Sequence, residues 1–427
     1  MLVYNALMEY FKIDGGKKLS GTIDVRGSKN AATPILAATL LTDQECLISN
    51  MPLIEDVYRM LEILQSMDVL VKWESERTVR ICAKGFDASK IDLHTVKRLR
   101  SSILLLGSLS ARSDRFVIAH PGGCTIGKRP VGTHFDALEK MGVRITQDAT
   151  NYRVDATKRK SGKVVLQEMS VTATENAMML ASGIKGTTII KIAAAEPHVE
   201  DLGKFLISLG ANIEGLGTHT LTITGNKNLR GASHEIIPDA NEAATFLILG
   251  AATRSPIRVI NAREDHLDIV LEKLRQFGVR FDVQKEYIGV IPTDHLKAVD
   301  KIDTRTYPGL PSDIQQPLGV LATQAEGETM IFDTIFEGRF NYMSELEKMG
   351  ANSTILNPHQ VLIKGKAQLR GAAIKSFDLR AGASLIIAAL CAGGITTIEE
   401  IYQVDRGYER IEERLQKLGA DIVRILN

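Results

Sequence analysis

Residues 267–280 read LDIVLEKLRQFGVR. Leu267, Val270, Leu271, Leu274 and Phe277 fall three or four positions apart, which places them on one face of a helix. The helix then stops at an apolar residue, a glycine and a small apolar residue, and an alternating strand pattern follows. The same cassette recurs at Asp68, Gly142, Gly210, Gly350 and Gly419, with aspartate in place of glycine in the first copy. Successive copies lie 68 to 74 residues apart. Self-similarity at a fixed spacing means one supersecondary unit used six times. The loops that precede the six amphipathic runs are therefore equivalent positions, and they can be compared for what they carry.

A second element recurs with the first. Ala-, Leu- and Ile-rich runs begin near Asn30, Ser102, Thr172, Ala240, Asp313 and Ala381, with bodies such as AATPILAATLL and ASLIIAAL. They are apolar nearly all round, so each predicts a helix inside a core rather than on a surface. The unit reads strand, buried helix, strand, loop, amphipathic helix, strand and short hairpin, an α/β class. Turn chemistry marks the hairpins at 214–217, 356–359 and 75–77. The last strand pattern, Asp421–Leu426, has nothing after it to pair with, while Phe11–Gly15 resembles Val361–Gly365 at the start of the last unit. The N-terminal strand is therefore expected to complete the C-terminal units, which closes the chain on itself; a plain division of the units near residue 218 is the alternative. If three units pack around each core, the buried helices start on one side. Free N–H groups and positive helix ends favour anions there.

Composition removes several classes of function. A net charge of +1 offers no bulk attraction to nucleic acid or anionic lipid. The longest apolar stretches fall short of the roughly 20 residues that span a bilayer. The start, MLVYNALMEYFKIDGG, lacks the basic and apolar segments of a signal peptide. Four cysteines without CxxC spacing predict neither a disulfide framework nor a zinc site. Cys46, Cys82 and Cys391 lie in apolar patterns and read as small core residues. No metal or cofactor is implied, and the cytoplasm is the expected compartment.

The most unusual loop is HPGGCTIGKRPVGTH, 120–134. Its glycines allow close approach to a ligand. Cys124 is flanked by Lys128 and Arg129, and nearby cations favour a thiolate. A core cysteine is the competing reading. Equivalent loops carry Arg339 in the fifth unit, and Arg406 and Arg410 in the sixth. Arginine grips carboxylate or phosphate with two parallel hydrogen bonds. Each alone reads as a solvated charge or an ion pair, but Arg129, Arg339 and Arg406 stand at corresponding places. At the helix starts sit Lys29 beside a candidate cap, Ser28 or Asn30, then Arg100, and Asp313 after Pro311 and Ser312. Asp313 reads as a cap or as a carboxylate that acts as base or hydroxyl acceptor. Asp378 and Arg380 read as partners of each other, and Glu196 as a first-turn glutamate.

Together PGGCTIGKRP, SKNAATPILAA, LRSSILLLG, LPSDIQQP, FEGRFNYMSEL, DLRAGASLIIAAL and VDRGYERIEERLQKLGADI closely resemble the UDP-N-acetylglucosamine 1-carboxyvinyltransferase family. The resemblance runs from about Phe11 to Val423. It implies a two-domain inside-out α/β barrel, with three units per domain and buried helices pointing at an interdomain cleft. Residues 1–29 and 238–427 would form one domain, and 30–237 the other, which carries the Cys124 loop. It also implies the reaction that opens peptidoglycan synthesis and serves cell-wall biogenesis, cell shape and division. The 3′-hydroxyl of UDP-N-acetylglucosamine adds to C2 of phosphoenolpyruvate, C3 is protonated, and phosphate then leaves.

By matching motif, Cys124 would be the proton donor and the thiol that fosfomycin alkylates. Lys29, Arg129 and Arg406 would hold phosphoenolpyruvate. Asn30, Arg100 and Asp313 would hold the sugar, with Asp313 as base. Arg129, Pro130, Val131, Gly132, Thr133, Ser170 and Val171 would contact the uridine diphosphate, and Ile335 the nucleotide sugar. Arg339, Asp378 and Arg380 would support closure and charge stabilisation. Three positions depart from the pattern: Ala240 stands where arginine is usual, Glu168 where lysine is frequent, and Gly132 where an acidic residue is common. All three concern the nucleotide side. Two rivals follow. A shikimate-3-phosphate enolpyruvyl transferase would need a GNAGT segment, where this chain has LRSSILLLG. A non-catalytic nucleotide-sugar-binding paralogue would not need Cys124, Lys29, Arg129, Asp313 and Arg406 together.

Overall fold

The computed structural model describes residues 9–122 and 130–426. They form two units: residues 27–122 with 130–237, and residues 9–26 with 238–426. Among the described residues there are six sheets, five of four strands and one of three.

The repeated cassette has a physical basis. Each amphipathic helix ends at a residue with positive φ: Gly142 at 80°, Gly210 at 112°, Gly278 at 86°, Gly350 at 97° and Gly419 at 93°. Glycine meets that left-handed turn without a Cβ penalty. Asp68 takes the same conformation at φ 62°, which marks it as the sixth copy despite its side chain. The strand after each of the first five cassettes pairs antiparallel with the next, as in Leu70–Ser75 with Thr78–Cys82 and Arg280–Val283 with Tyr287–Ile291.

Inside each unit lie the Ala-rich helices: Lys29–Ala38, Leu105–Arg112 and Val171–Gly183 in one, Ala240–Ala252, Ser312–Gln324 and Leu379–Cys391 in the other. Small residues let them pack at short range. A side chain at Gly107 would put its Cβ 2.4 Å from the Asn176 carbonyl oxygen, and the Gly107 N–H instead donates to Asn176 Oδ1 at 2.7 Å. The copy at 100–112 begins as a 3-10 helix, Arg100–Leu104, before its α-helical part, so it is not the plain helix from Ser102 that the pattern predicts.

Five sheets share one plan. The strand that follows the buried helix is flanked on its outer side by a short parallel strand, as in Lys163–Val165 beside Gly186–Lys191 and Lys301–Asp303 beside Gly327–Phe332. Two of these outer strands are brought in from far along the chain within their own unit. Ser233–Glu235 pairs with Cys46–Ser49, and Gly21–Asp24 with Ile257–Ile260. The sixth sheet, Arg115–Ala119, Asn151–Asp155 and Arg144–Gln147, has no such strand among the described residues. Its place in the chain is taken by the 3-10 turn Ala88–Lys90. The six units are therefore not equivalent, as the repeat alone had implied.

Strand Glu9–Asp14 lies between Ile395–Glu399 and Asp421–Leu426, antiparallel to both. Phe11 and Ile13 are fully buried there. A buried ion pair ties the same region together: Arg414 Nη1 and Glu242 Oε1 are 2.6 Å apart, Arg414 Nη2 donates to the Asp24 carbonyl, and Glu242 Oε2 accepts the Arg26 N–H. Cys46 is fully buried in its strand, and burial pushes its thiol up to about 11; Cys82 and Cys391 are half-buried.

Candidate functional site

In the unit of residues 27–237, Ser28 caps helix Lys29–Ala38, its Oγ accepting the Ala31 N–H at 3.4 Å. Lys29 is the first helical residue, and its Nζ lies 2.6 Å from the buried Asp56 carboxylate. It is thus not an exposed lysine, and the cap beside it is Ser28 rather than Asn30. Its charge adds to the positive end of the helix and is balanced by Asp56. Asn30 is half-buried beside it. Arg100 opens the 3-10 helix and reaches the Pro121 carbonyl at 3.5 Å, so it touches the stem of the glycine-rich loop. Ser170 caps helix Val171–Gly183, and Val171 is half-buried.

Pro130, Val131, Gly132 and Thr133 lead into helix Gly132–Lys140. Nothing among the described residues stands within 4 Å of a Cβ built on Gly132, so their packing does not demand glycine there. Thr133 Oγ1 donates to Glu168 Oε1 at 2.9 Å. The next residue, His134, is buried, with Nδ1 2.9 Å from Asn176 Nδ2 and Nε2 3.1 Å from Thr172 Oγ1. Because Asn176 Oδ1 is occupied by the Gly107 N–H, its amide nitrogen must be the donor to His134, which assigns the imidazole proton to Nε2. One buried triad therefore pins the start of helix 132–140 to the start of helix 171–183. Sequence reasoning missed His134 and Asn176; the only signal was two polar residues on otherwise apolar helix faces.

A second buried group was also missed. Glu175 is 1% exposed, its Oε1 has no hydrogen-bond partner among the described residues, and burial, reinforced by the Glu196 carboxylate, pushes its carboxyl well above the usual range. Glu196 is the cap position of helix Pro197–Leu209 but makes no side-chain cap bond.

Cys124, Lys128 and Arg129 lie outside the described residues.

In the unit of residues 238–426 the polar network centres on Asp313, second residue of helix Ser312–Gln324. It is not the cap, since Pro311 holds that position. Arg339 Nη2 donates to Asp313 Oδ1 at 2.6 Å, while Arg380 Nε and Asn241 Nδ2 reach Oδ2 at 3.1 and 3.5 Å. Burial alone would raise the Asp313 pKa, but the two guanidinium groups outweigh it and hold the carboxyl well below the usual range. In this arrangement Asp313 is a strong hydrogen-bond acceptor and a weak base. Arg339 is held in turn: Nη1 donates to Ser312 Oγ at 2.6 Å, and Ser312 donates to the buried Asp333. Asp333 also accepts the N–H groups of Ile335 and Phe336, which shapes the loop that leaves the Ile335 side chain 40% exposed.

Asp378 and Arg380 are not the side-chain ion pair that their spacing suggests. Asp378 caps helix Leu379–Cys391 and accepts the backbone N–H groups of Arg380 and Ala381. The Arg380 guanidinium turns to Asp313 and to Tyr408 Oη, 3.0 Å away, which in turn meets Thr245 Oγ1 at 2.8 Å. Arg406 is 8% exposed and donates to Gln403 at 3.2 Å. Arg410 is a solvated charge, with its side chain 72% exposed. Ala240 opens helix Ala240–Ala252 behind the Asp239 cap. Asp333, Asn241 and Tyr408 were not singled out by sequence, because nothing local distinguishes them.

Guanidinium groups of this kind can grip a carboxylate or phosphate with paired hydrogen bonds, and in this structure Asp313 occupies both. Among the described residues no cluster of three His, Cys, Asp or Glu side chains could hold a metal ion.

A family model described as EPSP synthase (3-phosphoshikimate 1-carboxyvinyltransferase) matches residues 13–415. The UDP-N-acetylglucosamine 1-carboxyvinyltransferase of Koribacter versatilis is 41% identical, covering 98% of this chain and 97% of its own length. That of Magnetococcus marinus is 42% identical, covering 98% and 100%. UDP-N-acetylglucosamine 1-carboxyvinyltransferase 2 of Listeria monocytogenes is 40% identical, covering 96% and 97%. Among solved structures, the enolpyruvyl transferase NikO from Streptomyces tendae superposes with a TM-score of 0.89 at 26% identity, covering 98% of this chain and 99% of its own. An EPSP synthase from Acinetobacter baumannii superposes at 0.76 with 20% identity, covering 98% and 100%, a likeness of fold.

Proposed function

The chain belongs to the UDP-N-acetylglucosamine 1-carboxyvinyltransferase family, within the wider EPSP synthase family, and on that premise we propose the following reaction and roles. The enzyme is a transferase that moves the enolpyruvyl group of phosphoenolpyruvate to the 3′-hydroxyl of UDP-N-acetylglucosamine. The hydroxyl oxygen bonds to C2 while C3 gains a proton. The tetrahedral ketal then loses phosphate from C2 and a proton from C3, which restores the double bond as an enol ether. The product enters peptidoglycan synthesis, in the cytoplasm. No helix of the described residues is long and apolar enough to cross a membrane.

The observation that carries the mechanistic reading is Asp313 between Arg339 and Arg380. Both substrates are anions. Their charge would draw the guanidinium groups away and leave Asp313 free to take the 3′-hydroxyl proton, so the base would be switched on by substrate arrival. Lys29, Arg129 and Arg406 hold phosphoenolpyruvate, and Cys124 donates the proton to C3. Asn30 and Arg100 hold the sugar. The segment 129–133, Ser170, Val171 and Ile335 contact the nucleotide. Fixed cations stabilise charge that develops in the transition state better than mobile water does.

The acceptor is favoured over shikimate 3-phosphate by the identity of about two residues in five with the relatives named for the nucleotide sugar, against 20% with the EPSP synthases compared. Purified protein is expected to release phosphate from phosphoenolpyruvate only when UDP-N-acetylglucosamine is present. Release with shikimate 3-phosphate instead, or with neither acceptor, overturns the reading. Cys124→Ser is expected to lose fosfomycin labelling by intact mass; label retained on Cys46, Cys82 or Cys391 removes Cys124 from the mechanism.

A further inference from the structure

Arg424 commits its guanidinium wholly to carboxylates. In strand Asp421–Leu426 it falls on the same face as the buried Ile422, where the alternation calls for an apolar residue. Its neighbour across the sheet is Phe11, and the guanidinium lies 5.0 Å from the centre of that ring. Nη1 donates to Glu9 Oε2 at 2.7 Å and to Asp405 Oδ2 at 2.9 Å. Nη2 donates to Asp405 Oδ1 at 2.6 Å and to Glu412 Oε2 at 3.3 Å. Nε donates to Glu412 Oε1 at 2.6 Å. These bonds engage the full donor set of an arginine side chain. Asp405 and Glu412 are each gripped by two of them, which needs the planar fork that lysine lacks.

The two gripped carboxylates bracket one short turn. Asp405 is the last residue of helix Tyr402–Asp405, and Glu412 the second residue of helix Ile411–Gln416. Arg406 and Tyr408 lie between them. A helix of one turn has little stability of its own, so its place is set from outside. Arg410, in the same turn, is held at φ 39°, a conformation that a side chain adopts only when its surroundings impose it. Tyr408 has anchors of its own, since it is fully buried and its Oη meets Arg380 Nη1 at 3.0 Å and Thr245 Oγ1 at 2.8 Å. The Arg406 end of the turn is tied to the sheet through its chain neighbour Asp405, hence through Arg424. The Asp405 and Glu412 side chains are 24% and 11% exposed, so these are not the fully solvated pairs that salt screens away.

We propose that Arg424 is a positioning residue for the transferase reaction: by clamping Asp405 and Glu412 it fixes the turn 405–412, and so fixes where Arg406 presents its guanidinium to phosphoenolpyruvate. The proposal rests on the role given above to Arg406. Arg424 acts through the turn and not on the substrate. Without it Glu9, Asp405 and Glu412 lose the cation they share, and like charges at such range repel. That repulsion would move Asp405, and Arg406 with it.

The test is steady-state phosphate release by the full chain, with each substrate varied in turn. Arg424→Lys keeps the charge and loses the fork. It is expected to raise the KM for phosphoenolpyruvate about tenfold or more, and that for UDP-N-acetylglucosamine by less than about twofold. Added to Arg406→Ala, the same substitution should raise the phosphoenolpyruvate KM no further, because residues that act through one group are not additive. Glu9→Gln removes the arm that does not reach the turn, and it should leave both KM values unchanged. Should Arg424→Lys not fold, Asp405→Asn carries the same expectation with Arg424 in place. If Arg406→Ala raises the phosphoenolpyruvate KM and Arg424→Lys does not, the proposal is overturned while the role of Arg406 stands. If Arg406→Ala leaves that KM unchanged, the role of Arg406 falls and the proposal with it. The proposal is also overturned if Arg424→Lys raises both KM values alike, if its effect adds in full to that of Arg406→Ala, or if Glu9→Gln raises the phosphoenolpyruvate KM as much.

Discussion

At the residue scale, the informative side chains are those whose surroundings oppose their intrinsic chemistry. Asp313 is held as a carboxylate by Arg339 and Arg380, whose side chains are 2% and 4% exposed. Asp313→Asn keeps the shape and removes the charge. It is expected to lower kcat by about 10²- to 10⁴-fold, the usual worth of a general base. A loss under tenfold in steady-state phosphate release would show that the proton goes elsewhere. The variant also leaves two buried guanidinium groups short of a counter-charge, so it should lower stability by up to about 3–5 kcal/mol, less to the extent that water reaches the partly exposed carboxylate.

Glu175 is the opposite case, a carboxyl that burial and the Glu196 carboxylate push well above its ordinary range, toward the protonated form. Below the ordinary glutamate value of about 4.3 both folded and unfolded chains hold the proton, so the group is neutral in its effect. As pH rises through that value the unfolded chain releases the proton and the native one does not, so stability falls. Glu175→Gln removes this penalty. Its stability gain over the parent, measured by denaturant unfolding, is expected to grow from about pH 4 to about pH 7. A gain that stays constant with pH would mean that Glu175 is ionised in the native state.

At the element scale, the repeat is written in the turns that end the amphipathic helices. Gly419 and Gly142 adopt φ values of 93° and 80°. Among the described residues a Cβ on Gly419 meets nothing within 4 Å, so Gly419→Ala isolates the backbone penalty, about 1–2 kcal/mol. A Cβ on Gly142 would sit 2.1 Å from the Lys158 carbonyl oxygen. Gly142→Ala should therefore cost more than Gly419→Ala in chemical denaturation, and equal costs would mean that the loop at 158 yields freely. The same scale explains why helix starts gather functional residues. Buried helices need their first N–H groups satisfied, so Ser28, Ser170 and Asp378 serve as caps, while neighbours at the same ends, Lys29 and Arg380, are left to carry charge.

At the scale of the whole molecule, the chain is organised by strands that return across long sequence distances. Glu9–Asp14 sits between two strands near the C-terminus, with Phe11 fully buried beneath the Arg424 guanidinium. Phe11→Ala is expected to cost about 3–5 kcal/mol. Amide exchange should accelerate in Ile395–Glu399 and Asp421–Leu426, the strands it holds. Unchanged exchange there would mean that the N-terminal strand is dispensable to that sheet.

The amino-acid sequence by itself determined the α/β class, the six-fold unit, the buried helices and the glycine turns, because each depends on contacts within about one helix or hairpin, where the spacing of apolar residues reports directly on geometry. It also marked Lys29, Asp313 and Arg380 as candidates, since charge at the start of an apolar helix stands out locally, and Arg339 by its place in a loop that the repeat makes equivalent to others. Only the tertiary structure decided that Arg380 turns from Asp378 to Asp313, that His134 and Asn176 lock two helix starts together, and that one sheet of six lacks its outer strand. Those outcomes depend on which groups come within about 3 Å across dozens of residues of chain. A hydrogen bond falls off within a few tenths of an ångström, whereas a sequence period constrains position only to the nearest helix face.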